Sequence, residues 1–454
     1  MEIEGPIFQL LICLGILILT LLHPWVRRVA SVGLPLCYIL SLAMIHWLGG
    51  LIHALPLPLR SRPDPYTELG LLQAFWATIA FAIGSFLVAP FVLRMVLRGE
   101  SVPIVRSPSP AQVRLPMMYL ALGIAFFAVL APVLASVPSI SAVAVSGIYL
   151  AVVGVCLACW SAYLERSYAK LIGWLTAICV LPFVTIITLG FVGYGAAAAL
   201  LVFTFVATFY RPHWQAAAGL GLLVFLGLSL FVTYFRDRPA IREKVWGGAE
   251  YAQRLETLGT TMQDFEFIDL QNPRHLAAID ARLNQNYLVG RVVRTIELGQ
   301  QQFAYGETLY EAALALVPRI LWPDKSVVAG SGNTVSRYTR IRFAAGTSVG
   351  IGQVMEFYIN FGTLGVVAGF LIIGVLIRLV DTMAAFCLYA GNWRGFMSWF
   401  VPSMCLLNVG GSLVEVFGTA AASLVMVAIV NKILSAADPI SNDIRTILAR
   451  YPTP

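Results

Sequence analysis

The chain has 454 residues, of which 59% are hydrophobic and 12% charged, with a formal net charge of +7 and a mean hydropathy of +0.81. A soluble domain carries about 25% charged residues, so this chain has too little polar surface to fold in water and needs lipid around it. All seven cysteines fall in apolar stretches, which implies no disulfide framework.

A spanning helix needs about 20 apolar residues. In chain order, such stretches predict an all-α polytopic membrane protein with about eleven spans. They lie near 7–23, 31–52, 71–93, 115–135, 142–163, 171–188, 190–209, 215–234, 350–377, 396–411 and 414–434. The start carries Glu2 and Glu4 and lacks the basic residues of a signal peptide, so the first stretch is expected to be a retained helix. Cys156 and Cys159 form a CxxC inside the fifth stretch and read as small packing residues. The chain thus divides into membrane helices over 1–234, a charged segment over 235–349, membrane helices over 350–434, and a tail over 435–454. No internal repeat is evident.

Lys and Arg gather on the cytoplasmic side of membrane proteins. With the N-terminus outside, the cytoplasmic connections and tail hold 14 cations against five anions. The short external connections hold Arg60 and Arg62, offset by Asp64 and Glu68. The basic excess is therefore a topology signal, and nucleic-acid binding is not needed to explain it. By the same alternation the segment 235–349 lies outside, with 14 of the 30 cations and 12 of the 23 anions. It reads as several short helices roofing a cavity. In Arg274–Leu288, Leu276, Ile279, Leu283 and Tyr287 recur at helical spacing, and Thr308–Ile320 is a second helical stretch.

Signatures of metal and nucleotide chemistry are missing: there is no DxD, HExxH, GxSxG or Walker-type loop, and His275 is the only histidine in the segment. No metal or cofactor is expected. The segment offers arginine instead. Arg291 and Arg294 share a helical face, and Arg319, Lys325, Arg337, Arg340 and Arg342 follow before the next span. Guanidinium groups grip phosphate in bidentate fashion, so such a cluster suits a lipid-linked diphosphate; the alternative is pairing with local acids or lipid headgroups. Glu356 and Glu415 fall within predicted spans, where a carboxylate is costly and faces a partner or a cavity. Glu356 is expected to pair with an arginine or to act as a base. Asp64 and Glu68 are further candidate acids, which a solvated loop also explains. Gly362 and Gly365 read as close-packing residues.

Arg282-Leu283-Asn284, Tyr305-Gly306-Glu307-Thr308 and Val317-Pro318-Arg319-Ile320-Leu321-Trp322-Pro323-Asp324-Lys325 resemble the outer loop of Wzy-type polysaccharide polymerases. Glu356-Phe357-Tyr358-Ile359-Asn360-Phe361-Gly362-Thr363-Leu364-Gly365 resembles the start of their next helix. The likeness covers about 282–379. It implies a bacterial inner-membrane glycosyltransferase that polymerises undecaprenyl-diphosphate-linked oligosaccharide repeat units at the outer face. Glu356 and Arg319 are then the catalytic candidates. Arg291, Arg294, Lys325, Arg337, Arg340 and Arg342 are the diphosphate ligands, with Tyr358 and Asn360 in support. Arg319 and Gly330 also fit the Arg-x10-Gly pattern discussed for that family. A ligase using the same donor and a transporter or flippase of lipid-linked sugars are the alternatives. A chain-length regulator and a flippase are the expected partners. Single cysteines introduced across 249–264 are expected to react with a membrane-impermeant thiol reagent added to intact cells; protection of all of them places the segment inside.

Overall fold

The computed structural model describes residues 4–27, 29–58, 64–97, 105–106, 112–134, 138–210, 213–317, 322, 332–343 and 349–437, and these form helices and their connections. Before the charged segment come α1 (Gly5–Val26), α2 (Leu34–Ala54), α3 (Pro65–Met95), α4 (Gln112–Leu130), α5 (Ile140–Leu164), α6 (Tyr168–Leu189), α7 (Gly193–Phe209) and α8 (His213–Trp246). The segment contributes α9 (Tyr251–Gln263), α10 (Pro273–Leu283), α11 (Asn286–Glu297), α12 (Glu307–Ala315) and α13 (Gly332–Thr339). After it come α14 (Gln353–Tyr389), α15 (Trp393–Leu406) and α16 (Leu413–Leu434). Nine helices among the described residues are long and apolar enough to cross a membrane. The other two expected spans are shorter: α7 has 17 residues and α15 has 14.

The helices pack as α4 on α5, α3 on α14, α14 on α15, and α15 on α16. At the end of the bundle bearing the charged segment, here the loop end, the Tyr234 hydroxyl donates to the Gly190 carbonyl at 2.7 Å. At the opposite end the Arg106 amide donates to the Tyr389 carbonyl at 2.8 Å, and the Trp393 amide to Gln112 Oε1 at 2.9 Å. Connections that strict alternation assigns to one side are therefore neighbours in space.

The charged segment is more deeply seated than a surface roof. α10 packs on α2, and α11 runs along α3. A Cβ on Gly70 would strike the Asn286 carbonyl and one on Gly290 the Tyr66 carbonyl, so only glycine permits this approach of α3 and α11. The single helix expected over 274–288 is in fact two. Asn284 leaves the helical region because its side chain donates to Asp280 Oδ1 at 2.7 Å and to Thr67 Oγ1 at 3.2 Å.

A second correction concerns Arg378 and Asp381, which the sequence pattern placed in a cytoplasmic connection. α14 continues through them, and they form a fully buried ion pair at 2.8 Å. Asp381 Oδ1 also accepts the amides of Val32 and Leu34 at 3.0 and 3.1 Å, fixing the start of α2. Removing one member of a buried pair strands the other charge, so Asp381→Ala is expected to destabilise by about 3–5 kcal/mol. Arg378→Met with Asp381→Asn, which deletes both charges and keeps an acceptor for Val32 and Leu34, is expected to lose far less. Thermal unfolding in detergent measures both, and equal losses would contradict this assignment.

Candidate functional site

Three interruptions of helical backbone meet beside Ile45, about 14 Å along α2 from its loop end. They are Asn284–Gln285 between α10 and α11, Gly350–Gly352 before α14, and Leu407–Ser412 between α15 and α16. The Gln285 amide donates to the Ile45 carbonyl at 2.9 Å, and the Gln353 amide donates to the Val409 carbonyl at 2.9 Å. Side chains complete the set. Gln353 Nε2 reaches the Asn408 carbonyl at 3.1 Å, and its Oε1 accepts the Tyr38 hydroxyl. His46 Nδ1 meets Asn286 Oδ1 at 2.7 Å, and Asn286 Nδ2 donates to the His46 carbonyl at 2.6 Å. α2 widens into a π-helical turn over Ala43–Trp47 at this level, a distortion frequent at functional sites. His46 Nε2 and Gln285 Oε1 are buried with no hydrogen-bond partner among the described residues.

Glu356 lies in this region, 1% exposed. No arginine pairs with it among the described residues: the carboxylate accepts the Leu413 amide at 2.7 Å, at the first turn of α16. Ser412 and Glu415 close the same terminus as a capping box, the Glu415 amide donating to Ser412 Oγ at 3.2 Å and the Ser412 amide to Glu415 Oε2 at 3.3 Å. Both carboxylates predicted within spans thus serve the amide-rich start of one helix. Asp64 likewise caps α3 through the Tyr66 amide at 3.1 Å, while Glu68 is exposed.

α14 breaks at Phe361 and Gly362, where Gly362 adopts φ +62°. Gly362 is therefore a backbone hinge, whereas Gly365 does permit a close approach, to the Phe357 carbonyl. Phe357 also lies against Gly369, so the first two turns of α14 fold back along the rest. Asn360 locks the bend to the loop segment. Its Nδ2 donates to Thr308 Oγ1 and to the Glu356 carbonyl, both at 2.7 Å, and its Oδ1 accepts the Gly306 amide at 2.9 Å. Tyr358 is buried and packs on Phe303.

Among the described residues, the predicted arginines do not converge as a single cluster. Arg291 lies over the Tyr66 ring at 5.0 Å and donates to the Thr339 carbonyl at 3.1 Å. Arg294 approaches Glu297 at 3.8 Å on its own helix. Arg337 faces Glu307 at 3.7 Å, Arg340 donates to the Gln300 carbonyl at 3.0 Å, and Arg342 is exposed. Arg319, Lys325 and Gly330 lie outside the described residues. On α12, burial and then the negative charge of Glu307 push the Glu311 carboxyl above the ordinary glutamate range. α12 packs on α16, which brings Glu311 toward the Glu356–Glu415 pair.

Tyr38, His46, Gln285, Asn286 and Gln353 were missed as site residues. Tyr38, His46 and Gln353 sit singly in apolar or mixed stretches, and Gln285 and Asn286 belong to the short polar run Asn284–Asn286 of the charged segment; only a polar residue within a predicted span, such as His46, offered a signal. Long apolar helices enclosing a buried polar centre define an all-α, multi-pass membrane protein. The match to the DUF8712 family, a domain of unknown function, spans residues 102–442, well over half of the chain, and the protein belongs to that family. No curated protein and no solved structure matches it.

Since a glutamine carbonyl still accepts the Leu413 amide, Glu356→Gln is expected to keep the protein folded. Glu356→Ala leaves a buried amide unpaired and is expected to cost about 1–3 kcal/mol. Unfolding curves for the two variants check this, and equal stability removes the capping role.

Proposed function

We propose that this protein is a Wzy-type glycosyltransferase that polymerises undecaprenyl-diphosphate-linked repeat units. In this reading it sits in a bacterial inner membrane with its N-terminus outside, its C-terminus in the cytoplasm and its loop end at the outer face. The reading is carried by the contact between the separate stretches that resemble that family. Gly306 and Thr308, from Tyr305–Thr308, are tied to Asn360, from Glu356–Gly365. The third stretch begins directly after α12, whose Glu307 faces Arg337.

The acceptor hydroxyl of one repeat unit attacks the anomeric carbon of the growing chain. The carbon–oxygen bond to the lipid diphosphate breaks, and undecaprenyl diphosphate leaves. The energy resides in that sugar–diphosphate bond, so no nucleotide is needed. Arg319, Arg337 and Lys325 neutralise the departing diphosphate. Glu311 takes the hydroxyl proton; its raised pKa makes it a stronger base than an ordinary carboxylate. Glu356 holds the start of α16 in place rather than moving the proton.

Reconstitution with the lipid-linked repeat unit alone is expected to yield polymer. Arg319→Ala and Glu311→Gln are expected to abolish chain growth at normal abundance, while Glu356→Gln retains it. A base must be ionised to act, so activity falls as pH drops through the Glu311 pKa. Glu307→Gln removes the neighbouring negative charge and shifts that acid limb to lower pH. Intact protein that makes no polymer refutes the assignment.

The interrupted helices favour a second reading, a transporter of lipid-linked sugars, because broken helices with unsatisfied polar atoms at membrane depth are how many transporters build their sites. It predicts movement of a labelled lipid-linked sugar across proteoliposomes with no new glycosidic bond.

A further inference from the structure

A group of arginines outside the expected diphosphate ligands stands at the loop end of α8. Arg238 lies 5.7 Å and Arg282 5.9 Å from the centroid of one ring, Phe235. Arg242, one turn beyond Arg238, donates through Nε to the Gly190 carbonyl at 3.2 Å. Its guanidinium is held 4.3 Å from the Phe191 centroid and 4.8 Å from that of Trp246. None of the three has a carboxylate partner among the described residues, in contrast to Arg236, Arg294 and Arg337. Glu243 borders the same groove without pairing to any of them. Burial, and after it the positive charge of Arg242, pushes the Arg282 guanidinium below its ordinary pKa. Three like charges are thus gathered, partly desolvated and left without a counterion.

Arg238 and Arg242 line an open groove of about 540 Å³ along α8, whose other walls are Phe235, Pro239, Glu243, Trp246 and Gly247; Arg282 of α10 borders it across the Phe235 ring. Trp246 is 61% exposed and is pinned through Nε1 to the Leu189 carbonyl at 3.2 Å. Arginine beside exposed tryptophan at the end of a spanning helix is the chemistry of the lipid–water interface, where cations and aromatic rings meet headgroups. Guanidinium groups that approach from different helices grip a phosphate's oxygens together.

We propose that Arg238, Arg242 and Arg282 form a binding site for the phosphate of a lipid headgroup, seated in the groove along α8 at the edge where Arg282 of α10 meets Phe235, with its apolar part against Phe235 and Trp246. The site is separate from the Glu307–Glu311–Arg337 region and does not depend on the polymerase reading. An occupied site clamps α10 to α8, and so steadies the Asn284–Gln285 interruption that follows α10.

The test uses full-length protein in neutral detergent, with thermal unfolding and native mass spectrometry as readouts. Phosphatidylglycerol is expected to raise the unfolding temperature and to be retained in the spectrometer. Diacylglycerol with the same tails, and inorganic phosphate at equal concentration, are expected to do neither. R238Q/R282Q is expected to weaken phosphatidylglycerol binding by about tenfold or more, and R238K/R282K by less. R238Q alone, at a partly exposed position, serves if the double variant fails to fold. Equal stabilisation by inorganic phosphate overturns the lipid source, and unchanged binding by a folded glutamine variant overturns the site.

Discussion

Backbone that leaves the helical state inside a lipid-embedded bundle must find its hydrogen-bond partners within the protein, since lipid offers none. Most of what is distinctive in this molecule answers that demand. Gln285 and Gln353 bond other interrupted stretches of chain, and Glu356, Ser412 and Glu415 serve the amides at the start of α16 that have no partner within the helix. Asn360 does the same for the turn into α12. At the opposite end Asp381 performs this service for α2 and is itself neutralised by Arg378. The polar side chains within the bundle are therefore first of all supports for irregular backbone. The irregular backbone in turn opens a polar centre in an apolar body.

This arrangement separates two kinds of charge. Inside the bundle, charges are paired or hydrogen-bonded to amides, as burial requires. At the loop end, some arginines meet acids, while Arg238, Arg242 and Arg282 lie against aromatic rings with no carboxylate partner among the described residues. Simple counting of arginines in the segment mixes these groups. Counterions distinguish them, and counterions are a property of the fold.

The spans and the helical nature of the charged segment were legible because they depend on length and hydropathy along one stretch of chain. Gly362 and Gly365 carried a weaker signal. Their small size was readable, but only the left-handed φ of Gly362 shows that it is a hinge. The boundary of α14 was misplaced at Arg378 because a charge pair ordinarily marks the end of a span; here the two charges cancel each other three residues apart within the helix. Glu356 was readable as a residue requiring a partner. Its actual partner, the Leu413 amide, lies 57 positions away in sequence and carries no side-chain signature.

By itself, the sequence determined a membrane-embedded helical protein with one long charged excursion. Hydropathy acts locally, so each apolar stretch declares its own solvent. The tertiary structure alone decided which interruptions converge beside Ile45, which carboxylates cap a helix, and which arginines lack a counterion. Those outcomes depend on which distant backbone atoms and charges come within hydrogen-bonding or ion-pairing reach, and that distance exists only once the helices have packed.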